Sequence, residues 1–271
     1  HEQRGELDRE LVALVASSLA FGGAGTIREK AREVVARLGA APTRVAEDPR
    51  ATRRRLDGFK HRVFLGEDVA RLLVGARRLQ REEGSLGAAF ARSLARAPGA
   101  PQAGAEGLRS ALFDLVEAIR ELGGFPARGS TARRGPAHLL PDVHGGGACK
   151  RLLLFLRWMV RRADGVDLGL WPISPEVLLC PVDTHIEKIG RNLGFTAERA
   201  ASWRAAEEIT AHLRQYDPSD PVRFDFALCH LGMVQRCRER RDAAVCEGCK
   251  MKPVCRHWRR APRLLRSVVR P

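Results

Sequence analysis

Apolar residues recur at intervals of three and four along most of the chain. In residues 7–20 they fall at Leu7, Leu11, Leu14 and Leu19. This spacing places apolar side chains on one face of an α-helix and polar side chains on the other. The same pattern returns in six further stretches: 26–39, 66–84, 108–122, 148–163, 198–216 and 221–235. It predicts a chain of amphipathic helices.

One of these helices differs from the others because it is apolar nearly all round. Within 148–163, residues 152–156 are all apolar, which is typical of a helix at the centre of a fold. Two stretches between helices are loop-like: 97–107 is rich in Pro, Gly and Ala, and 123–147 is rich in Gly and basic. Ala, Leu, Arg and Glu dominate, and no stretch is convincing as a strand, so we expect an all-α protein.

Composition limits the class of protein further. No apolar run reaches the roughly 18 residues of a membrane span, and no secretory segment opens the chain, so we expect no membrane contact. The formal net charge is +15, which attracts polyanions, above all nucleic acid. The alternative is an Arg-rich bias of the genome. Seven cysteines without a secretion signal indicate a reducing compartment, where clustered thiols indicate a metal site rather than disulfides.

Four of those cysteines form an array near the end of the chain. Cys237, Cys246, Cys249 and Cys255 follow the spacing C-x8-C-x2-C-x5-C. Four thiolates brought together by short loops suit either a [4Fe–4S] cluster or a structural zinc ion. The array alone does not choose between them.

A glycine loop leads into the apolar helix at HGGGACK, residues 144–150. The backbone N–H groups of Gly145, Gly146 and Gly147 at a helix start can bind a phosphate, although such loops are often only turns. Lys150 then stands at the head of the helix. A partly desolvated lysine can act as an amine nucleophile; the alternative is a lysine that contacts phosphate.

A second candidate group is Asp183 in CPVDTH, residues 180–185. An aspartate at this position caps the next helix by accepting hydrogen bonds from its free N–H groups. Because it is also firmly held, its carboxylate could stabilise positive charge that develops on a sugar ring. Capping alone is the alternative.

In their order, the glycine loop, Lys150, the VDTH segment and the cysteine array resemble the helix-hairpin-helix DNA glycosylase superfamily of endonuclease III, over roughly residues 8–255. That family has C-x6-C-x2-C-x5-C, so the first interval here is longer. A closer similarity is to a bacterial family with ACKRL-x2-FLRWMVR, VDTH and DFALCHLG segments, present here at 148–161, 182–185 and 225–232.

The hairpin departs from the family type. It reads LPDVHGGGACK where the family has LPGVGRK, and a strict alignment of the glycines puts Cys149 in the place of the lysine. Lys150 and Asp183 are 33 positions apart. This interval is longer than is typical of endonuclease III and is more similar to that of archaeal 8-oxoguanine glycosylases.

The resemblance implies an all-α, two-lobed helix-hairpin-helix DNA glycosylase fold with a C-terminal [4Fe–4S] cluster loop. Residues 20–150 would form a helical barrel lobe, and 1–19 plus 165–271 the second lobe. The implied activity is a DNA glycosylase with AP lyase activity that removes an oxidised base, 8-oxoguanine favoured, from double-stranded DNA. Lys150 would attack C1′ of a flipped nucleotide and Asp183 would stabilise the transition state. We expect a monomer in the cytoplasm, at the bacterial nucleoid, with the cluster in a structural role.

Other site residues also follow from the resemblance. Glycines 145–147, Phe59 and His185 would contact DNA, with Phe59 as a wedge in the base stack or, alternatively, a core residue. Asp225, Trp158 and Phe21 would line the base pocket. Asp225 would accept a purine N–H, including the N7–H of 8-oxoguanine; the alternative is a surface or ion-paired carboxylate. Trp158 would stack on a base or lie in the core. Basic residues of the array loop would face phosphate: Arg238, Arg240, Arg241, Lys250 and Lys252.

Three other functions stay open on the sequence. One is a glycosylase without lyase activity, and another is an AP lyase without base excision. The third is a non-enzymatic DNA-binding protein with zinc or a cluster in the cysteine array.

Overall fold

The computed structural model describes residues 5–97, 104–233, 237 and 242–259. This part of the chain is mostly helical, which confirms the all-α prediction. The first helices are α1 (Glu6–Ser18), α2 (Ala24–Leu38), α3 (Pro42–Ala46), α4 (Pro49–Leu56), α5 (Gly66–Glu83), α6 (Leu86–Arg96) and α7 (Gly104–Leu122). They are followed by α8 (Arg134–Leu139), α9 (Lys150–Val160), α10 (Thr184–Leu193), α11 (Trp203–Arg214), α12 (Asp225–Met233), α13 (Ala243–Cys246) and α14 (Arg256–Arg259). Two 3₁₀ helices lie at Pro175–Val177 and Pro221–Phe224.

A small β-hairpin corrects the expectation of no strand. Strands β1 (Lys60–His61) and β2 (Phe64–Leu65) pair antiparallel, with His61 opposite Phe64. Arg62 at the turn has φ of 54°, a left-handed conformation that is uncommon outside glycine. Two-residue strands are too short to show a period-two pattern in the sequence, so periodicity could not predict them.

Local capping chemistry sets several helix boundaries. Asp48 accepts hydrogen bonds from the first N–H groups of α4, and Ser85 and Ser202 do the same for α6 and α11. The sequence predicts Thr26 as the N-cap of α2 and Gly39 as the residue that stops it. Gly39, with φ of 76°, does end α2, whereas the helix starts at Ala24, two residues before Thr26.

The helices pack in two groups, and α9 is linked to the second by the ion pairs of Lys150 with Asp183 and of Arg157 with Asp225. In the first group α5 contacts α4, α6 and α7; in the second, α10 contacts α12 and α14. The helix α9 packs against α1, and its residues Leu152, Leu153, Phe155 and Leu156 are buried, as expected of a central helix. Helix α1 also packs against α2, α3 and α5.

One buried carboxylate ties α1 to the rest of the core. Glu10 is 2% exposed and accepts hydrogen bonds from four donors. These are the side chains of Gln80 and Trp171 and the backbone N–H groups of Leu86 and Gly87. A buried carboxylate satisfied by four donors fixes the relative positions of α1, α5 and α6. No helix in the described ranges has the length and apolarity that a bilayer crossing requires.

Candidate active site and cysteine cavity

An open cleft of about 510 Å³ lies where α9 and α10 begin. Lys150 and Asp183 both line it, so the structure brings together the two groups that the sequence singled out. The other side chains that carry chemistry in its lining are Phe21, His138, Cys149, Arg151 and His185. Asp183 is the one acidic residue among the lining residues in the described part of the chain.

Lys150 owes its position to the hairpin before α9. Residues 140–149 connect α8 to α9, and Cys149 serves as the N-cap with φ of 46°. Lys150 is therefore the first residue of the helix, and its side chain is 37% exposed. Its amine is held at the helix head with access to the cleft.

Asp183 uses its two carboxylate oxygens for two different purposes. Oδ1 accepts hydrogen bonds from the backbone N–H groups of His185 and Ile186, both at 2.9 Å, which is the predicted cap of α10. Oδ2 accepts a hydrogen bond from Nζ of Lys150 at 3.3 Å. Capping therefore does not exclude chemistry, because the cap orients the second oxygen towards the lysine.

Cys149, the alternative occupant of the lysine position, is chemically less suited to react. Its side chain is buried among apolar residues, and that burial raises the pKa of its thiol to about 11. At neutral pH the thiol is therefore protonated, whereas nucleophilic attack by cysteine requires the thiolate. Of the two side chains, the amine of Lys150 is therefore the better candidate nucleophile.

Phe21, predicted to line a base pocket, forms part of the wall of the cleft. The guanidinium carbons of Arg62 and Arg151 lie 5.4 and 5.2 Å from the centre of its ring. The ring of His138 meets it edge-on, with 4.9 Å between centroids. Arg151 is fixed by donating a hydrogen bond to the carbonyl of Ser18 at 2.6 Å. Sequence reasoning missed Arg62, Arg151 and His138; the one available signal was that Arg151 follows Lys150.

The glycine loop and His185, the predicted DNA contacts near the cleft, are both exposed. Gly147 forms an isolated antiparallel bridge with Ser202, and the N–H of Trp203 donates to the carbonyl of Gly146 at 3.2 Å. Gly146 has φ of 80°, a conformation that favours glycine. The loop is therefore anchored to the start of α11.

Two of the predicted DNA contacts lie away from the cleft. Phe59 is 2% exposed in the core, so it cannot wedge into a base stack in this conformation, and its core alternative is the better description. Trp158 is partly buried and lines a different pocket with Val12 and Val166, so stacking on a base in the cleft is also excluded in this conformation.

Asp225 does not line the cleft and takes part in a buried ionic network. Its Oδ1 lies 3.4 Å from Nε of Arg157, whose Nη2 lies 3.3 Å from Oδ2 of Asp167. Burial raises the pKa of Asp225 to about 6, although the charge of Arg157 opposes the rise. This is the ion-paired alternative, and its physical reason is that a buried carboxylate needs a cationic partner.

The four cysteines of the array surround one cavity. Cys237, Cys246, Cys249 and Cys255 line it together with apolar side chains, namely Ile189, Leu193, Leu231, Met251 and Trp258. Asn192 donates a hydrogen bond to Sγ of Cys237 at 3.4 Å. Burial raises the pKa of the Cys237 thiol. All seven cysteines of the chain have free thiols.

These thiols are not arranged around a single point. Within the described ranges, no group of three or more His, Cys, Asp or Glu side chains is grouped as one metal ion requires. Arg238, Arg240 and Arg241 lie outside the described residues.

Comparison with known proteins gives one family. Residues 1–234 match a family described as a protein of unknown function, DUF2400, and the chain therefore belongs to this family. The matched region contains Lys150 and Asp183 and ends before Cys237. No curated protein and no solved structure matches the chain.

Proposed function

We propose that this protein is a DNA glycosylase with AP lyase activity that excises a damaged base from double-stranded DNA. The observation that carries the proposal is the pairing of Lys150 Nζ with Asp183 Oδ2 at 3.3 Å inside an open cleft. The two residues are 33 positions apart and come from different helices, so the fold and not sequence proximity brings them together.

The cleft has the size and charge that a flipped nucleotide needs. Its volume of about 510 Å³ lies within the range of small-molecule sites. Lys150 and Arg151 give it positive charge for the phosphates, and Phe21 supplies an aromatic surface for a base. A base extruded from the duplex is read by stacking and by hydrogen bonds in such a pocket.

The chemistry assigned to Lys150 proceeds through a covalent intermediate. Its Nζ, as the free amine, attacks C1′; the glycosidic C1′–N bond breaks, and the base leaves with the bonding electrons. Opening of the sugar ring gives a Schiff base between Nζ and C1′. Loss of a proton from C2′ then breaks the C3′–O bond and nicks the strand, and water hydrolyses the imine. Asp183 stabilises the positive charge that develops on the sugar.

The lesion is assigned from the resemblance alone. The two-lobed helix-hairpin-helix architecture and an oxidised base, with 8-oxoguanine favoured, both come from similarity to the endonuclease III superfamily. Asp225 no longer supports that substrate, because it pairs with Arg157 and does not line the cleft. Phe21 remains the base-pocket residue with support from its position.

A borohydride-trapping experiment tests the proposal. With duplexes that each carry one damaged base or an abasic site, the wild-type protein should form a covalent complex and Lys150→Gln should form none. Lys188→Gln on α10, which leaves the cleft lining intact, is the matched control. Trapping by Lys150→Gln would disprove the assignment of the nucleophile. Trapping on abasic DNA alone would indicate an AP lyase without base excision. Base release without trapping would indicate a monofunctional glycosylase.

We also propose that the cysteine cavity holds a [4Fe–4S] cluster, with zinc as the alternative. The four thiols that line one largely apolar cavity support it. Such a cluster would have a structural role, holding together the segment between α12 and α14, and would take no part in the reaction.

Metal analysis separates cluster from zinc. Purified protein should be brown, with visible thiolate-to-iron absorption and about four iron atoms per chain. Cys249→Ser should lose the colour, whereas Cys229→Ser, outside the array, should keep it. A colourless protein with one zinc per chain would overturn the cluster assignment while leaving the proposed chemistry of Lys150 untouched.

A further inference from the structure

A second cavity, separate from the cleft, lies between the end of α10 and α14. It has a volume of about 370 Å³. The side chains that line it and carry polar groups are Arg191, Asn192, Thr196, Arg199, Arg256 and His257. No Asp or Glu is among its lining residues in the described part of the chain. We propose that this basic cavity is a binding site for a phosphate group.

The charges in the cavity are available to a ligand. Arg199 and Arg256 are both exposed, and neither forms an ion pair with a carboxylate among the described residues. Arg191 differs, because its Nε lies 2.7 Å from Oε1 of Glu187. Two guanidinium groups without a carboxylate therefore face the same space. A guanidinium is planar and presents several N–H donors, which suits it to bind phosphate oxygens.

The nearby carboxylates already have partners. Glu208 accepts a hydrogen bond from Thr196 at 2.6 Å and pairs with Arg204 at 3.0 Å. Glu198 lies 3.5 Å from Nε of the same Arg204. These contacts leave the positive charge of Arg199 and Arg256 uncompensated on the side of the cavity.

Two backbone and packing features indicate that the cavity has a defined shape. Gly194 ends α10 in the left-handed conformation, with φ of 84°, and a β-carbon there would meet the guanidinium of Arg256 at 2.0 Å. The glycine therefore allows Arg256 to pack against the end of α10. His257 Nε2 is buried without a hydrogen-bond partner among the described residues. A buried polar nitrogen without a partner is uncommon in folded proteins and fits a site that a ligand completes.

The phosphate could belong to a free anion, to the end of a nucleic acid strand or to a phosphodiester within one. All three present the same tetrahedral anion with several acceptor oxygens. The site is distinct from the cleft and does not depend on the glycosylase proposal, because Lys150 and Asp183 do not line it.

Isothermal titration calorimetry with the full chain tests the site. Inorganic phosphate should bind the wild type, and Arg199→Ala/Arg256→Ala should weaken binding by about tenfold or more through loss of two charge-assisted contacts. The matched control is Arg44→Ala/Arg50→Ala, which removes the same charge from exposed positions on α3 and α4 and should change nothing. Lys150→Gln should also bind phosphate normally, so failure of the glycosylase proposal would not imitate failure of this one.

A second set of titrations identifies the source of the phosphate. Short oligonucleotides with and without a 5′ phosphate are compared on wild type and the double variant. If the double variant binds only the phosphorylated oligonucleotide more weakly than the wild type does, the site binds a terminal phosphate. If it binds both oligonucleotides more weakly, the site binds a phosphodiester. If neither changes while inorganic phosphate binding is lost, the ligand is a free anion. Absence of phosphate binding by the wild type, or equal binding by the double variant, would overturn the proposal. The exposed single variant Arg199→Gln, with a smaller expected loss, keeps the test valid if the double variant fails to fold.

Discussion

Two aspartate–cation pairs lie along α9 and differ in their exposure to solvent. Lys150 and Arg157 are seven residues apart, about two helical turns, so they lie on the same side of the helix. Asp183 caps α10 and Asp225 is the first residue of α12. The two pairs have nearly equal separations, 3.3 Å between Nζ and Oδ2 and 3.4 Å between Nε and Oδ1.

The environment and the type of cation separate the two pairs. The side chains of Lys150 and Asp183 are 37% and 18% exposed, whereas those of Arg157 and Asp225 are 7% and 6% exposed. An arginine keeps its charge in proteins and suits a buried pair, while a lysine amine can lose its proton and react. The lysine pair, which has access to an open cleft, is therefore the candidate for chemistry, whereas the buried arginine pair belongs to the core.

The largest expected difference between the two ion pairs is in their effect on catalysis. Asp183→Asn should lower the single-turnover rate of base excision by roughly 10²–10⁴-fold, because the amide cannot stabilise positive charge on the sugar. Asp225→Asn should leave that rate unchanged within error, since Asp225 does not line the cleft. Rates are measured on the lesion duplex found by trapping. A comparable loss in Asp225→Asn would restore the base-pocket role that the structure removed.

The next largest difference is in stability, where changing the buried pair should have a larger effect than changing the exposed pair. Arg157→Gln leaves Asp225 buried without its cation, while Asp167 keeps its pair with Arg161, and should lower the free energy of unfolding by about 3 kcal/mol. Lys150→Gln removes a partly exposed pair and should cost less than about 1 kcal/mol. Urea denaturation followed by circular dichroism measures both. Equal losses would mean that the exposed pair is as important for the fold as the buried one.

The buried pair should also make stability depend on pH. Burial holds the pKa of Asp225 at about 6, above the value of about 3.8 for an unburied aspartate. Between these values the folded state binds the proton more tightly, so the contribution of Asp225 favours folding below pH 4 and is lost as pH rises through 6. Relative to Asp225→Asn, the wild type should therefore lose on the order of 3 kcal/mol across this window. Parallel stability curves for the two proteins would contradict the raised pKa.

The smallest effect separates the two roles of Asp183. Asparagine can still cap α10 through its side-chain oxygen, whereas alanine cannot, so Asp183→Ala should be about 1 kcal/mol less stable than Asp183→Asn. Both variants should be equally inactive in base excision. Thermal denaturation and the excision assay give the two readouts. If Asp183→Asn retained activity, the carboxylate would be only a cap.

Much of the fold could be predicted from the sequence because helices are local structures. The spacing of apolar residues indicated α1, α5, α7, α9 and α11, and Gly39 and Asp183 marked helix ends through chemistry within a few residues. The β-hairpin was missed because its strands are only two residues long. The packing of α1 depends on which neighbours its apolar face meets, and periodicity does not contain that information.

The candidate site was found in part, for the same reason. Lys150 and Asp183 stand at helix starts with recognisable local sequences, and the structure brings them within 3.3 Å. His138 and Arg151 were missed because their positions depend on distant contacts, such as the hydrogen bond from Arg151 to Ser18, 133 residues away. Phe59 and Asp225 were misplaced because their local sequences do not reveal whether the side chain meets core, cleft or a buried arginine.

The sequence by itself therefore determined the helical class, the ends of several helices, the positive charge and the two candidate reactive groups. These properties depend on composition and on interactions between residues close in the chain. Only the tertiary structure decided that Lys150 faces Asp183 across an open cleft, that Arg157 holds Asp225 in the core and that four cysteines converge on one cavity. Whether a charged side chain reacts or stabilises the fold depends on the water and partners around it, and packing between distant helices sets both.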